Sequence, residues 1–142
     1  MDKMMHLVQV CQTYDIILAY LFGSQKDNAF RILKGEEVWI QDPLTDIDLG
    51  VVFRKSILGT AKHHDLYAKL YGGMADLFAP NQLDLVFLEE NHSVFQAEAL
   101  KGICVYSLDE STRDRYEEII LRRAADFRPF LDKYYQEFLE EV

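Results

Sequence analysis

One short stretch, Leu44 to Phe53, constrains this chain more than any other, because it sets carboxylates inside an apolar strand pattern. Alternation places Asp46, Asp48 and Gly50 on one face of the predicted strand and its apolar side chains on the other. Strand interiors are normally poor in aspartate. Either the pair belongs to a solvated turn at the start of the strand, or its oxygen atoms hold a divalent cation such as Mg²⁺ together with substrate phosphates.

A second feature joins an apolar run to a glycine and a serine. The run Ile16 to Phe22 predicts a strand covered on both faces, and Gly23-Ser24 follows it directly. The residues from Ser24 to Asp27 have the form of a helix N-cap, and Gly35 predicts the end of that helix. Either this is an ordinary strand-to-helix turn, or the glycine and the free N–H groups of the helix start bind phosphate.

A third aspartate lies inside another apolar strand pattern. Pro80-Asn81 opens this predicted strand, which runs from Gln82 to Leu88. Its leucine and phenylalanine side chains alternate toward the core, so Asp84 points to the opposite side.

The rest of the chain alternates predicted helices with two short strands. Helices are predicted at about 2–12, from 60 or 62 to 77, from 91 or 93 to 101, and over 110–140. Within them, Gly72-Gly73 either weakens the second helix or ends it early, and Pro129 predicts a bend in the last. Strands are predicted at Trp39-Ile40 and, as an edge strand, at Ile103–Ser107. We interpret His63-His64 as a solvated pair, because a third metal ligand is not evident.

Length and charge bound the class of protein. A chain of 142 residues predicts one domain, 1–142, with about 110–142 as a helical extension packed on it. The net charge of -9 counts against an extended nucleic-acid surface. A membrane helix needs roughly 20 apolar residues, and neither such a run nor a signal peptide is found. We interpret Cys11 and Cys104 as buried free thiols of a cytoplasmic protein.

Each motif is weak alone, but their order is more specific. A strand ending in Gly23-Ser24, a helix, a strand bearing Asp46 and Asp48, and a strand bearing Asp84 together resemble the nucleotidyltransferase superfamily of polymerase-β type. The segments 21–24, 45–51 and 83–86 are similar to its smallest branch, the minimal nucleotidyltransferases (MNT). The segments 102–106, 113–117 and 126–131 resemble the C-terminal part of the MNT antitoxins that are paired with HEPN-domain toxins.

This resemblance implies a fold, a site and an activity. The implied fold is α/β (α+β), a small mixed sheet flanked by helices with a long C-terminal helical region. Asp46, Asp48 and Asp84 are implied to hold two Mg²⁺ ions, with Asp84 also drawing the proton from the attacking hydroxyl. Gly23 and Ser24 are implied to contact the terminal phosphates of ATP. The implied activity is transfer of AMP to a tyrosine hydroxyl of a HEPN toxin, which makes the protein an antitoxin.

Two alternatives and two departures stand beside this reading. The same fold could neutralise a partner by contact alone, or modify a small molecule, which normally requires a further domain. After Gly-Ser the family often has small and basic residues and then a glycine, whereas this chain has 25–28 as Gln-Lys-Asp-Asn. The segment from about Phe30 to Gln41 resembles an insertion, which leaves Trp39 without a family counterpart. Lys26 either neutralises phosphate or is a solvated lysine.

Overall fold

The computed structural model describes residues 2–42, 44–57 and 63–140. The helices are α1 Lys3–Thr13, α2 Lys26–Leu33, α3 His63–Phe78, α4 Ser93–Leu100 and α5 Glu110–Glu140. The strands are β1 Ile16–Phe22, β2 Ile47–Phe53, β3 Leu83–Phe87 and β4 Ile103–Ser107. This order confirms the predicted α/β class with its long C-terminal helix.

The four strands form one mixed sheet in the order β3-β2-β1-β4. Strand β1 is antiparallel to both β2 and β4, whereas β2 and β3 are parallel. Strands β2 and β3 therefore begin at the same edge of the sheet, and β1 ends there. The position of β4 at the side of the sheet confirms the predicted edge strand.

Apolar side chains cover both faces of the sheet, as predicted for the apolar run of β1. One face of the sheet packs with α1, α2 and α3 in the larger core cluster. The other face packs with α4 and α5 in a smaller cluster, and α4 and α5 pack on each other in a third. On β2, Ile47, Leu49 and Val51 belong to the larger cluster, which leaves Asp48 on the α4 and α5 side.

One predicted strand start and one predicted strand are wrong. Strand β2 begins at Ile47, so the expected strand start at Leu44 is not observed and Asp46 lies just outside the ladder. The expected strand at Trp39-Ile40 is not formed either. Val38 and Ile40 instead pack their side chains against the larger cluster, so this segment is held by apolar contacts and not by sheet pairing.

Two further expectations are also corrected. Helix α3 does not end early at Gly72-Gly73 but continues to Phe78. Its side chains Leu70, Met74 and Leu77 are buried on both sides of the glycines, which outweighs a cost of about 1 kcal/mol per glycine. Its predicted start at residue 60 or 62 lies outside the described residues. Cys11 is buried, but Cys104 is half-buried because β4 is an edge strand.

Helix α5 packs through its first half. Ile120 and Ala124 are buried against α4, and the helix continues through Pro129 to Glu140. Beyond Pro129 most large apolar side chains are exposed, among them Phe130, Tyr134, Phe138 and Leu139. Within the described ranges, no helix is both long and apolar enough to cross a bilayer.

Candidate active site

Two of the three aspartates stand side by side across the parallel strands. The ladder pairs Asp48 of β2 with Asp84 of β3. Paired residues of neighbouring strands lie about 4.8 Å apart and point to the same face. The carboxyl groups therefore meet at the edge where both strands begin. Asp84 is exposed and Asp48 is half-buried, so a ligand can reach both.

The pairing has an electrostatic cost at Asp48. Burial, a hydrogen bond with Asp84, and the charges of Asp84 and Asp46 raise the pKa of Asp48 to about 6. Each of these causes disfavours a second negative charge at this position. A proton relieves the repulsion, and a bound divalent cation would also relieve it.

Asp46 contributes from just before β2. It is exposed, and its charge is one cause of the raised pKa of Asp48. The ladder pairs Ile47 with Leu83, and the N–H of Ile47 donates to Gln82 O at 2.8 Å. Asp46 therefore lies beside Gln82, two residues nearer the sheet edge than the Asp48–Asp84 pair.

Gly23 closes the other side of Asp48. Phe22, the last residue of β1, pairs with Asp48 in the ladder. Gly23 follows with a φ of 76°, and a Cβ built on it would collide with the Asp48 carboxylate oxygen Oδ2. Only glycine adopts this backbone without strain and leaves the carboxylate in place. The chain thus turns directly against the aspartate pair.

The predicted capping role of Ser24 is wrong. Helix α2 begins at Lys26, with Gln25 at the N-cap and no side chain capping the first turn. The Gln25 side chain instead accepts a hydrogen bond from the Asn28 amide at 2.8 Å. Gly23 and the exposed Ser24 form the turn before the helix. The start of α2 therefore follows directly on the turn at Gly23 without a side-chain cap, and helix starts of this kind can bind anions.

The three aspartates supply the type of ligand that a hard divalent cation prefers. Carboxylate oxygens with open coordination positions are the ligands that Mg²⁺ takes beside substrate phosphates. Among the described residues, no three His, Cys, Asp or Glu side chains are gathered into a ready metal cluster. The donor set is thus an adjacent pair, Asp48 and Asp84, with Asp46 next to it.

A lysine that sequence analysis did not single out lies near Gly23. A depression of about 210 Å³ is lined by Phe22, Gly23, Lys26, Glu98, Lys101 and Gly102. Lys26 and Lys101 each pair with a carboxylate, at 3.7 Å to Asp27 and 2.9 Å to Glu98. No local signal could identify Lys101, because it reaches this place only through the pairing of β4 with β1.

The histidine pair does not behave as predicted. His63 is half-buried, and its Nε2 atom lies 2.7 Å from a carboxylate oxygen of Glu90. Its ring also packs edge-on against Phe87. His63 is therefore a partnered residue that joins α3 to the end of β3, and not half of a solvated pair.

The family is decided by sequence. Residues 6–111 match the family model described as polymerase beta, nucleotidyltransferase. This range includes β1, Gly23-Ser24 and all three aspartates. The chain belongs to this nucleotidyltransferase family. No curated protein matches the chain.

Solved structures similar to this nucleotidyltransferase come from toxin–antitoxin complexes. One is a toxin–antitoxin with AMP-PNP, with a TM-score of 0.61, 17% identity, and coverage of 98% of this chain and 97% of that chain. Another is tri-AMPylated Shewanella oneidensis HEPN toxin in complex with MNT antitoxin. It has a TM-score of 0.58 and 16% identity, and the match covers 99% of this chain and 95% of that chain. The toxin–antitoxin MntA–HepT has a TM-score of 0.57, 15% identity, and coverage of 99% and 96%.

These similarities confirm the fold that the sequence motifs implied. At 15 to 17% identity they establish shared architecture over almost the whole of this chain. The predicted small mixed sheet with a long C-terminal helix is therefore the fold of this nucleotidyltransferase family, as found in MNT antitoxins.

Proposed function

We propose that this protein is a Mg²⁺-dependent nucleotidyltransferase that moves AMP from ATP to a tyrosine hydroxyl of a partner HEPN toxin, and so acts as an antitoxin. The single observation that carries the proposal is the Asp48–Asp84 pair, set across two parallel strands beside the turn at Gly23. Family membership supports the reaction class, and one structural neighbour contains an AMPylated HEPN toxin.

The chain's own residues take distinct parts in this reaction. The Gly23-Ser24 turn and the first N–H groups of α2 bind the terminal phosphates. Lys26 and Lys101 line the depression beside Gly23, where each would exchange its carboxylate partner for a phosphate oxygen. Asp84 accepts the proton of the tyrosine hydroxyl, whose pKa near 10 otherwise leaves it a poor nucleophile. The phenolic oxygen forms a bond to the α-phosphorus, the bond from that phosphorus to the bridging oxygen breaks, and pyrophosphate leaves.

Asp46, Asp48 and Asp84 would hold the metal. When bound, Mg²⁺ would neutralise the charge of the carboxylates and phosphates and stabilise the charge on the entering and leaving oxygens. The raised pKa of Asp48 supports this assignment. It shows that the clustered carboxylates repel one another when all are ionised, and a bound cation would reduce that repulsion.

Intact-mass measurement tests the proposal. The protein is incubated with ATP, Mg²⁺ and the purified HEPN-domain product of the neighbouring gene, in parallel with Asp48→Ala. A mass gain of whole AMP units on the partner, absent with Asp48→Ala, is the expected result. Neutralisation of the partner with no mass gain would instead favour contact alone. In a parallel incubation with an aminoglycoside, AMP found on the aminoglycoside but not on the partner would favour a small-molecule acceptor.

The cytoplasmic location and the single domain over 1–142 stay predictions. Fractionation of expressing cells and limited proteolysis of the purified chain are the respective measurements.

A further inference from the structure

Strand β3 is held by the sheet along one side only. It lies at the end of the order β3-β2-β1-β4, so within the described sheet its hydrogen-bonded neighbour is β2. The N–H of Ile47 on β2 donates to Gln82 O at 2.8 Å. In this parallel ladder the backbone groups of Leu85 therefore point the other way, toward the outer edge. Contacts at that outer edge decide how far β3, and Asp84 with it, can move from β2.

The side chain of Tyr67 reaches this outer edge from α3. Its hydroxyl donates a hydrogen bond to Leu85 O at 3.1 Å, and its ring packs against Phe87 with the ring centroids 5.4 Å apart. Tyr67 thus contacts β3 at the first and third residues after Asp84. Among the described residues, the other side-chain hydrogen bond to a β3 carbonyl is local, from Asn91 to Phe87 O. Tyr67 therefore ties β3 to a helix on the side that lacks a strand.

The surroundings of Tyr67 keep its hydroxyl a donor and its ring in place. Burial raises the pKa of Tyr67, and the nearby charge of Asp84 raises it further. The hydroxyl therefore stays protonated at neutral pH and continues to donate to Leu85 O. The ring is half-buried and stacks on Tyr71, with centroids 6.1 Å apart and ring planes 21° apart. Aromatic neighbours on two sides thus fix its orientation.

The aspartate pair pushes β3 outward. Asp48 and Asp84 are ladder partners, and like charges directly opposite each other in a sheet repel. An edge strand can relieve this repulsion by moving away from its neighbour, which would separate the two carboxyl groups. Tyr67 lies on the side toward which β3 would move, so its contacts oppose that displacement. Groups that share one ligand have to be held to within about 0.5 Å.

We propose that Tyr67 is a positioning residue of this site, which holds the outer edge of β3 and so keeps Asp84 at the separation from Asp48 that a shared divalent cation requires. The inference rests on the proposed function, because it takes the aspartate pair as the metal site. Tyr67 is not itself a ligand and acts through the backbone of Leu85. Loss of its hydroxyl is therefore expected to weaken the site although every carboxylate remains.

Cation binding measures this role without any transfer reaction. Mn²⁺, which prefers the same oxygen ligands as Mg²⁺, is titrated into each purified protein, and the free ion is followed by electron paramagnetic resonance. Asp48→Asn supplies the background from the other acidic residues. Tyr67→Phe is expected to raise the dissociation constant of the site about tenfold, as loss of a group that supports a metal ligand does. An equal constant in Tyr67→Phe and the unaltered protein overturns the proposal.

Tyr71→Phe is the matched control for this titration. Tyr71 belongs to the same stacked pair on α3 and is half-buried like Tyr67. Its hydroxyl has no hydrogen-bond partner among the described residues. The variant is therefore expected to bind Mn²⁺ as the unaltered protein does. An equal loss in both tyrosine variants would assign the effect to the aromatic pair in general and overturn the role of the Tyr67 hydroxyl.

Kinetics separate positioning from a general loss of stability. At saturating ATP, Mg²⁺ and HEPN-domain partner, Tyr67→Phe is expected to lower kcat about tenfold, with KM for the partner nearly unchanged. Ile120→Ala removes a buried side chain of α5 and is the control for destabilisation, with kcat per folded molecule retained. An equal fall of kcat in both variants would assign the loss to stability alone and overturn the proposal.

The two proposals fail in distinguishable ways. If the unaltered protein transfers no AMP, yet Tyr67→Phe weakens Mn²⁺ binding, the proposed function is wrong and the positioning role stands. If the unaltered protein transfers AMP, and Tyr67→Phe equals it in both kcat and Mn²⁺ affinity, the proposed function stands and the positioning role is wrong.

Discussion

Asp48 is the residue at which stability and ligand binding conflict most clearly. Its neighbours on β2 are buried apolar side chains, and its ladder partner is another carboxylic acid. A fold under no functional demand gains nothing from this pairing, since like charges opposite each other in a sheet are destabilising. The local conflict is therefore the signature expected of a functional site.

The pKa of Asp48 predicts how the stability of the metal-free protein depends on pH. Its pKa is about 6 in the folded protein and about 3.9 in an unfolded chain. The folded state thus holds a proton that the unfolded state has released, and the free energy of unfolding falls as pH rises from about 4 to about 6. Below that window the contribution of Asp48 is fully present, and above it the contribution is lost.

Urea unfolding at a series of pH values in the presence of EDTA measures this effect. Asp48→Asn cannot titrate at this position, so the difference between the two proteins reports the titration of the coupled Asp48–Asp84 pair and not that of distant groups. We expect the advantage of Asp48→Asn to grow across the window. An unchanging difference would contradict the raised pKa.

Gly23 permits a second test at the residue scale. Gly23→Ala introduces strain at positive φ, worth about 1–3 kcal/mol, and also a collision with Asp48. Gly35→Ala is the matched control, because Gly35 has a φ of 91° but no atom within 4 Å of its built Cβ. We expect Gly23→Ala to lower the free energy of unfolding more than Gly35→Ala in chemical denaturation, and equal losses would argue against close contact with the carboxylate.

At the scale of elements, α5 joins the body of the protein through one half only. Ile120 is buried, whereas its neighbour Leu121 is 53% exposed. Ile120→Ala is expected to lower the free energy of unfolding by about 2–4 kcal/mol, and Leu121→Ala by less than about 0.5 kcal/mol. Urea denaturation of the two variants measures both values. Similar losses would show that α5 does not pack on α4 through this face.

Most elements could be predicted from local pattern, and the errors have local causes too. The apolar runs of β1 and β3 and the spacing of α1 and α5 determine those elements largely by themselves. The predicted start of α2 is wrong because Ser24 fits a capping motif. In the structure, Ser24 is part of the turn at Gly23, and the helix begins at Lys26. A strand was expected at Trp39 because apolar residues alternate there. The inward-facing side chains of this segment, Val38 and Ile40, are half-buried by packing on the core and do not need sheet pairing.

At the scale of the whole molecule, the site exists only because of the sheet order. Gly23 directly follows β1, and Asp48 and Asp84 lie on β2 and β3, so the three residues are far apart in sequence. Their residue types could be singled out from the chain and from its family resemblance. The pairing of Asp48 with Asp84, the approach of Lys101 and the contact of Tyr67 with β3 could not, because each depends on long-range contacts that no local periodicity encodes.

The assembled site predicts stabilisation by nucleotide and metal together. A ligand that binds only the folded state stabilises it by about 2.7 kcal/mol at a hundred times its dissociation constant. AMP-PNP with Mg²⁺ is therefore expected to raise Tm in a thermal unfolding experiment, whereas AMP-PNP with EDTA or with Asp48→Asn is not. An equal rise in all three cases would place nucleotide binding away from the aspartates.

The most direct test follows the fate of each phosphate of ATP. The protein is mixed with its HEPN-domain partner, Mg²⁺ and ATP labelled at either the α- or the γ-phosphate, and the partner is then isolated. The account predicts α-label on the partner and γ-label in released pyrophosphate, with the transfer and the release both lost in Asp48→Asn and Asp84→Asn. Label from the γ-phosphate on the partner, or undiminished α-label transfer by either variant, would contradict the assignment of this aspartate pair to nucleotidyl transfer.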